Sequence, residues 1–162
     1  MTGGSDPESV YATVEIYDPF TNSWEEEEAL MEEYREEHAA VALDGKLYVA
    51  GGHATSLLNG GPAMIRGSRF AEFFDAEADF WEAVAETHNP RLHCSCAVLD
   101  GKLYLAGGSY EIVTPLGGGA SSVSSIWLDS LERYDPSLNV WKDLAPMNTK
   151  RTNFMLCSWG EF

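Results

Sequence analysis

Asp44-Gly45-Lys46-Leu47-Tyr48-Val49-Ala50-Gly51-Gly52 returns as Asp100-Gly101-Lys102-Leu103-Tyr104-Leu105-Ala106-Gly107-Gly108. The copies lie 56 positions apart and differ only where Leu105 replaces Val49. Asp-Gly is the pair that most readily takes positive φ at both central positions of a type I′ hairpin turn. The apolar run behind it is short for a helix and suits a buried strand. The closing Gly-Gly permits a close backbone approach, or dihedrals that a Cβ forbids. One copy would read as an ordinary strand, whereas two read as a repeat protein.

A second marker keeps the same phase. Tyr17-Asp18-Pro19 leads to Trp24, Phe74-Asp75-Ala76 to Trp81, and Tyr134-Asp135-Pro136 to Trp141, so the tryptophans lie 57 and 60 apart. Asp-Pro followed by Asn or Asp is turn chemistry, and the flanking aromatics suit the two strands of a hairpin. Arg35, Arg91 and Arg151 recur at 56 and 60. A strand, Gly-Gly, a variable segment, Tyr-Asp-Pro and Trp, in that order, resemble the kelch repeat, which has a period of about 50 residues. The chain departs from that pattern at Ala76 and in the long segments after both Gly-Gly pairs. The competing WD40 repeat is shorter and ends on Trp-Asp, which no repeat here does.

The resemblance implies an all-β, kelch-type β-propeller segment, with two complete four-stranded blades plus partial flanking blades. In that register residues 35–85 and 92–145 are kelch repeats. Residues 1–28 are the last strands of a preceding blade, with Gly3-Gly4 its glycine doublet, and 151–162 are the first strand of a truncated repeat. The chain thus reads as part of a longer propeller.

Acidic residues number 26 against 10 basic, a net charge of −16. Nucleic acid and anionic membrane both demand a basic surface, and neither is an expected partner. Three cysteines (Cys94, Cys96, Cys157) are an odd and sparse set that fits a reducing, cytoplasmic setting better than a disulfide framework. No signal-like stretch, membrane-length apolar run or Asn-x-Ser/Thr acceptor occurs. Residues 25–37 have helix-forming composition, but the repeat register places a solvated acidic loop there. Residues 53–69 and 109–125 read as long loops, the second with a mobile Gly-rich centre at 117–122.

That Gly-rich centre lacks the Gly-Lys-Ser/Thr ending of a phosphate cradle. His93-Cys94-Ser95-Cys96, near His88, hints at a metal, yet on a strand Cys94 and Cys96 share one face and His93 takes the other. Packing is the simpler reading, and neither metal nor cofactor is expected. The histidines form no recognisable catalytic motif, so the chain reads as a binding protein and not an enzyme.

Arginines carry the functional expectation. In an antiparallel blade the connection entering the first strand and the one leaving the second lie at the same end. Arg35, Arg91 and Arg151 arrive there from one set of connections, Arg66 and Arg69 from the other. These five are expected to bind a partner, whose acidic groups would meet forked guanidinium donors. The alternative is surface pairing with Glu32, Glu33, Glu36 and Glu37. The kelch resemblance is closest to the kelch-like adaptors. It implies a protein-interaction module, the substrate-recognition propeller of a Cullin-3 ubiquitin ligase whose cullin contact is a BTB domain, and these 162 residues hold no such sequence. An actin-binding kelch scaffold is the second reading, and a kelch-fold enzyme the third.

Overall fold

The computed structural model describes residues 2–27, 29–53, 55–57 and 61–159. In chain order its strands are β1 (Glu15–Asp18), β2 (Ser23–Glu26), β3 (His38–Leu43), β4 (Lys46–Gly51), β5 (Thr55–Leu57), β6 (Met64–Arg66) and β7 (Ala71–Asp75). They continue as β8 (Phe80–Ala83), β9 (Ser95–Leu99), β10 (Lys102–Ala106), β11 (Ser109–Gly117), β12 (Ala120–Trp127), β13 (Leu131–Asp135) and β14 (Val140–Leu144). No helix occurs among the described residues.

Two four-stranded antiparallel sheets, β3-β4-β7-β8 and β9-β10-β13-β14, have the blade form. The hairpin β1-β2 stands before them, extended by bridges from Thr2 to Val14 and from Ser5 to Val10. Turn chemistry is as the residues demand. Asp44 and Gly45 have φ of 50° and 77°, and Asp100 and Gly101 have 49° and 66°. In the outer hairpins the carboxylates of Asp18, Asp75 and Asp135 each accept the N–H two residues on, from Phe20, Glu77 and Ser137. That Asx turn explains why Ala76 can stand where the other repeats have proline.

Each blade presents one face to each neighbour, because strand side chains alternate. Ala39, Leu43, Tyr48, Ala50, Ala71 and Phe73 of the first blade meet Cys94, Leu103, Leu105, Tyr134 and Trp141 of the second in one buried cluster. Trp81 packs in the same way on Ala12, Met31 and Val49. The aromatic pairs Tyr17–Trp24, Phe74–Trp81 and Tyr134–Trp141 are cross-strand partners with ring centroids 5.2, 5.5 and 5.0 Å apart. Trp24 is 58% exposed and Trp141 only 8%, since the preceding blade covers Trp141 and no described residue covers Trp24 to that extent.

Gly-Gly serves close approach. The N–H groups of Gly4, Gly52 and Gly108 donate to the carbonyls of Arg35, Arg91 and Arg151 at 2.9, 2.8 and 2.7 Å, linking the end of one blade's second strand to the entry of the next blade. A Cβ on Gly51 would lie 2.8 Å from Arg91 O, and one on Gly108 2.5 Å from Leu92 O.

Two expectations need correction. The segments 53–69 and 109–125 are not long loops. Their described residues hold β5, β6 and the β11-β12 hairpin, which join as one antiparallel sheet in the order β12-β11-β6-β5. Glu111 pairs with Arg66, Ile112 with Ile65 and Val113 with Met64, so insertions from two successive blades share a ladder. The Gly-rich centre is the turn of that hairpin, and Gly117, Gly118 and Gly119 have φ of 89°, 59° and 81°. The acidic stretch is non-helical over 29–37 but not wholly solvated, because Met31 and Arg35 are buried.

Candidate functional site

The end of the blades that carries the glycine doublets gathers the arginine-bearing connections and the shared sheet. Backbone placement there follows the expectation from strand direction: Arg91 N–H donates to Ser68 O, beside Gly52.

Arg35 and Arg91, however, turn inward. Arg35 is 1% exposed and donates to Gly51 O at 2.8 Å and Glu72 Oε1 at 2.9 Å. Arg91 is 0% exposed and donates to Gly107 O, to Ser130 Oγ at 2.8 Å and to Glu132 Oε1 at 2.6 Å. The second carboxylate oxygen is held in a matching way, by Glu32 N–H on Glu72 and His88 N–H on Glu132. Each repeat thus fastens its entry segment, its glycine doublet and its third strand with one buried ion pair. Burial lowers the Arg35 guanidinium from its ordinary value, with Glu72 and Glu33 pulling the other way, and burial raises the Glu72 carboxyl. Burial, reinforced by Arg35, holds His38 down at about 4, a neutral imidazole at ordinary pH.

Expecting Arg35 and Arg91 to bind a partner is therefore corrected. Both are already spent on internal carboxylates and carbonyls. Sequence reasoning missed Glu72 and Glu132, although a signal was present. Glu15, Glu72 and Glu132 recur 57 and 60 apart, in step with the arginines, and Glu72 and Glu132 stand second in their strands between apolar residues and the turn aspartates Asp75 and Asp135. A lone acid in such a position calls for a buried cation.

Arg66, Arg69 and Arg151 remain exposed. Arg66 meets Glu111 at 3.2 Å and Arg69 meets Glu86 at 2.9 Å, both in solvent-accessible pairs. Arg151 forms no ion pair among the described residues. These three are not drawn into one constellation. Arg66 instead borders a polar hollow of about 290 Å³ lined by Glu36, Glu37, His53, His93 and Glu111 among others, between the starts of β3 and β9 and the shared sheet. His93 Nε2 lies 3.3 Å from Glu37. With Arg66 paired to Glu111 and His93 beside Glu37, three carboxylates against one guanidinium leave this hollow net negative.

His88, Glu132 and Asp143 bring ligand-type atoms within 4.8 Å of one another. Both Glu132 oxygens are already engaged, and the Arg91 guanidinium at 2.6 Å repels a second cation. His88 bonds Asp143 at 2.9 Å, and that bond raises the imidazole above its ordinary value. Cys94 and Cys96 share one interior face, where burial pushes their thiols up to about 11 and about 12.

The Kelch motif model matches residues 90–148. Kelch-like protein 23 of Homo sapiens is 27% identical over 123 residues, which is 75% of this chain and 17% of that protein. Beta-scruin of Limulus polyphemus is 28% identical over 165 aligned residues, 99% of this chain and 16% of the relative. Kelch-like protein 36 of Bos taurus reaches 39% over 88 residues, 53% of this chain and 13% of its own length. The solved structure titled "Structure of YjhT" superposes with a TM-score of 0.63 at 19% identity, over 93% of this chain and 49% of that one. The chain therefore spans less than a fifth of these curated relatives and about half of the solved structure.

Proposed function

Because this chain is a kelch-repeat protein with the propeller fold, we propose that it recognises another protein through the doublet end of its blades, as the substrate-holding part of a Cullin-3 ubiquitin ligase adaptor. The observation that carries the interaction reading is the elaboration of that end. Both blades insert extra strands at the same place, and the insertions pair with each other instead of lying apart as loops. A blade needs no such sheet to fold, and its exposed side chains are presented on a rigid frame. The adaptor role rests on the similarity to kelch-like proteins. A cytoplasmic setting belongs to the same proposal and agrees with three unpaired cysteines. Among the described residues no helix is long and apolar enough to cross a membrane.

The partner segment presents a lysine or arginine to the hollow at Glu36, Glu37 and Glu111, and the separately placed, exposed Arg66, Arg69 and Arg151 are each open to an acidic group of the partner's wider surface. This reverses the main charge preference expected from the arginine pattern, because two of the five arginines are internal. In this reading the chain acts by binding, and the cluster of His88, Glu132 and Asp143 serves the internal clamp, since Glu132 is held by Arg91 and by His88 N–H. A second reading, a cytoskeletal actin-binding scaffold, draws on the similarity to Beta-scruin along 99% of the chain.

The test is affinity capture with the parent protein that contains this chain. Glu37→Lys with Glu111→Lys should reduce recovery of the substrate at least tenfold and leave Cullin-3 recovery unchanged. Lys142→Glu, on the outer strand β14, is the control. Co-recovery of actin without Cullin-3 favours the scaffold, and equal recovery by all variants removes the hollow from the account.

A further inference from the structure

We propose that two copies of this chain pair edge to edge through β12, antiparallel about Val123, so that two four-stranded sheets become one continuous sheet. The inference is separate from partner capture and rests on four features of the strand.

First, β12 is an outer strand: among the described residues β11 is its sole neighbour, and alternate N–H and C=O groups along its other side have no ladder partner there. Second, it carries none of the devices that blunt an edge. Ala120-Ser121-Ser122-Val123-Ser124-Ser125-Ile126-Trp127 has no charge and no proline, and the one register shift of the hairpin lies at Pro115/Gly117 on β11. In a chain of net charge −16, this uncharged strand is where two copies can approach without direct repulsion.

Third, a two-fold axis requires self-complementarity, and the strand has it. Residues 121–125 read the same in both directions. Centred on Val123, the pairing sets Val123 against itself, Ser122 against Ser124, Ser121 against Ser125 and Ala120 against Ile126. Seven pairs at about 3.4 Å each give a shared edge of about 24 Å. Fourth, the large side chains meet small ones. Ile126 falls beside Ala120, and Trp127, 52% exposed, falls beside Gly119 of the other copy, where an aromatic ring can shelter a bare backbone. Val123 is 50% exposed in the single chain and is covered by its mate. One strand edge is a small interface, so the dimer exchanges with monomer in the micromolar range or weaker.

Sedimentation equilibrium over a concentration series tests this with two variants of the chain. In Ser122→Lys/Ser124→Lys every lysine faces a lysine across the axis, and association should weaken at least tenfold. In Ser122→Lys/Ser124→Glu each lysine faces a glutamate, and association should return to the wild-type level or better. Both substituted positions, Ser122 and Ser124, are exposed, and circular dichroism checks the fold. As an independent readout in a Cys157→Ser background, Val123→Cys should give an intermolecular disulfide on mild oxidation, because residues facing each other at the axis have Cα atoms about 4.5–5.5 Å apart. Leu138→Cys, on an exposed turn elsewhere, should not. A wild-type chain that stays monomeric overturns the proposal. So does association that the double lysine leaves unchanged, or that the lysine–glutamate variant fails to restore. Pairing of β12 with a foreign extended peptide while the chain itself remains monomeric also overturns it.

Discussion

Arg91→Met should cost far more than its one residue suggests. The guanidinium is fully buried and gives three kinds of bond, to Gly107 O, to Ser130 Oγ at 2.8 Å and to Glu132 at 2.6 Å. Methionine keeps part of the packing volume and removes every donor. Glu132, also 0% exposed, then keeps the His88 N–H at 2.8 Å, the His88 imidazole at 3.8 Å and a long contact from Asn89. Breaking a buried pair from one side typically costs about 3–5 kcal/mol, because an uncompensated charge stays in the interior. Replacing both partners, Arg91→Met with Glu132→Leu, removes that charge and should recover most of the loss. The exposed pair Arg69–Glu86 is the reference, and Arg69→Met there should cost less than about 1 kcal/mol. Urea unfolding of the wild type, Arg91→Met, Glu132→Leu, the double variant and Arg69→Met, with m-values compared, measures all of these. If Arg91→Met costs no more than Arg69→Met, the clamp does not hold the blade. If the double variant loses at least the sum of its parts, the two groups are not coupled.

Gly51→Ala and Gly108→Ala should each destabilise by at least about 2 kcal/mol, because positive φ adds to a backbone clash at 2.8 or 2.5 Å. Gly117→Ala, also at positive φ but with open space around it, should cost only about 1 kcal/mol, so a thermal melt of the three ranks them. Trp141→Ala loses a buried ring and the 2.7 Å bond to Ala85 O and should cost about 3–5 kcal/mol, whereas Trp24→Ala should cost less than about 1 kcal/mol in this chain. His38, held down to about 4, is neutral in the fold and charges more easily once unfolded, so its contribution is complete above about pH 6.5. That contribution is lost progressively as pH falls from there toward about 4. An NMR titration should show the imidazole unprotonated at pH 5.5, and ordinary titration near pH 6.5 would contradict its burial.

The blades were legible because their signals are local. Asp-Gly turns, Asx-stabilised hairpins and in-phase tryptophans each specify a conformation within a few residues, and the repeat multiplies the signal. Strand direction also located the arginine-bearing connections at the doublet end. It did not say where the side chains point. A long guanidinium reaches inward when a carboxylate waits in the core, and Glu72 and Glu132 lie 37 and 41 residues along the chain from their arginines. The shared sheet was unreadable for a related reason. Serine and glycine over 117–125 have weak strand preference, and the β-prone run Tyr110-Glu111-Ile112-Val113-Thr114 finds its partner, at Arg66 to Met64, in the preceding repeat. Such pairing is decided by tertiary proximity and not by local preference.

The doublet end is a formed surface in which two insertions share a ladder. Amide hydrogen exchange of the free chain tests it most directly. Residues 64–66 and 110–114 should be protected and should open together, while the turn at Gly117–Gly119 exchanges freely. Exchange of 109–127 at the rate of an unstructured loop, with β4 and β10 still protected, would contradict the account.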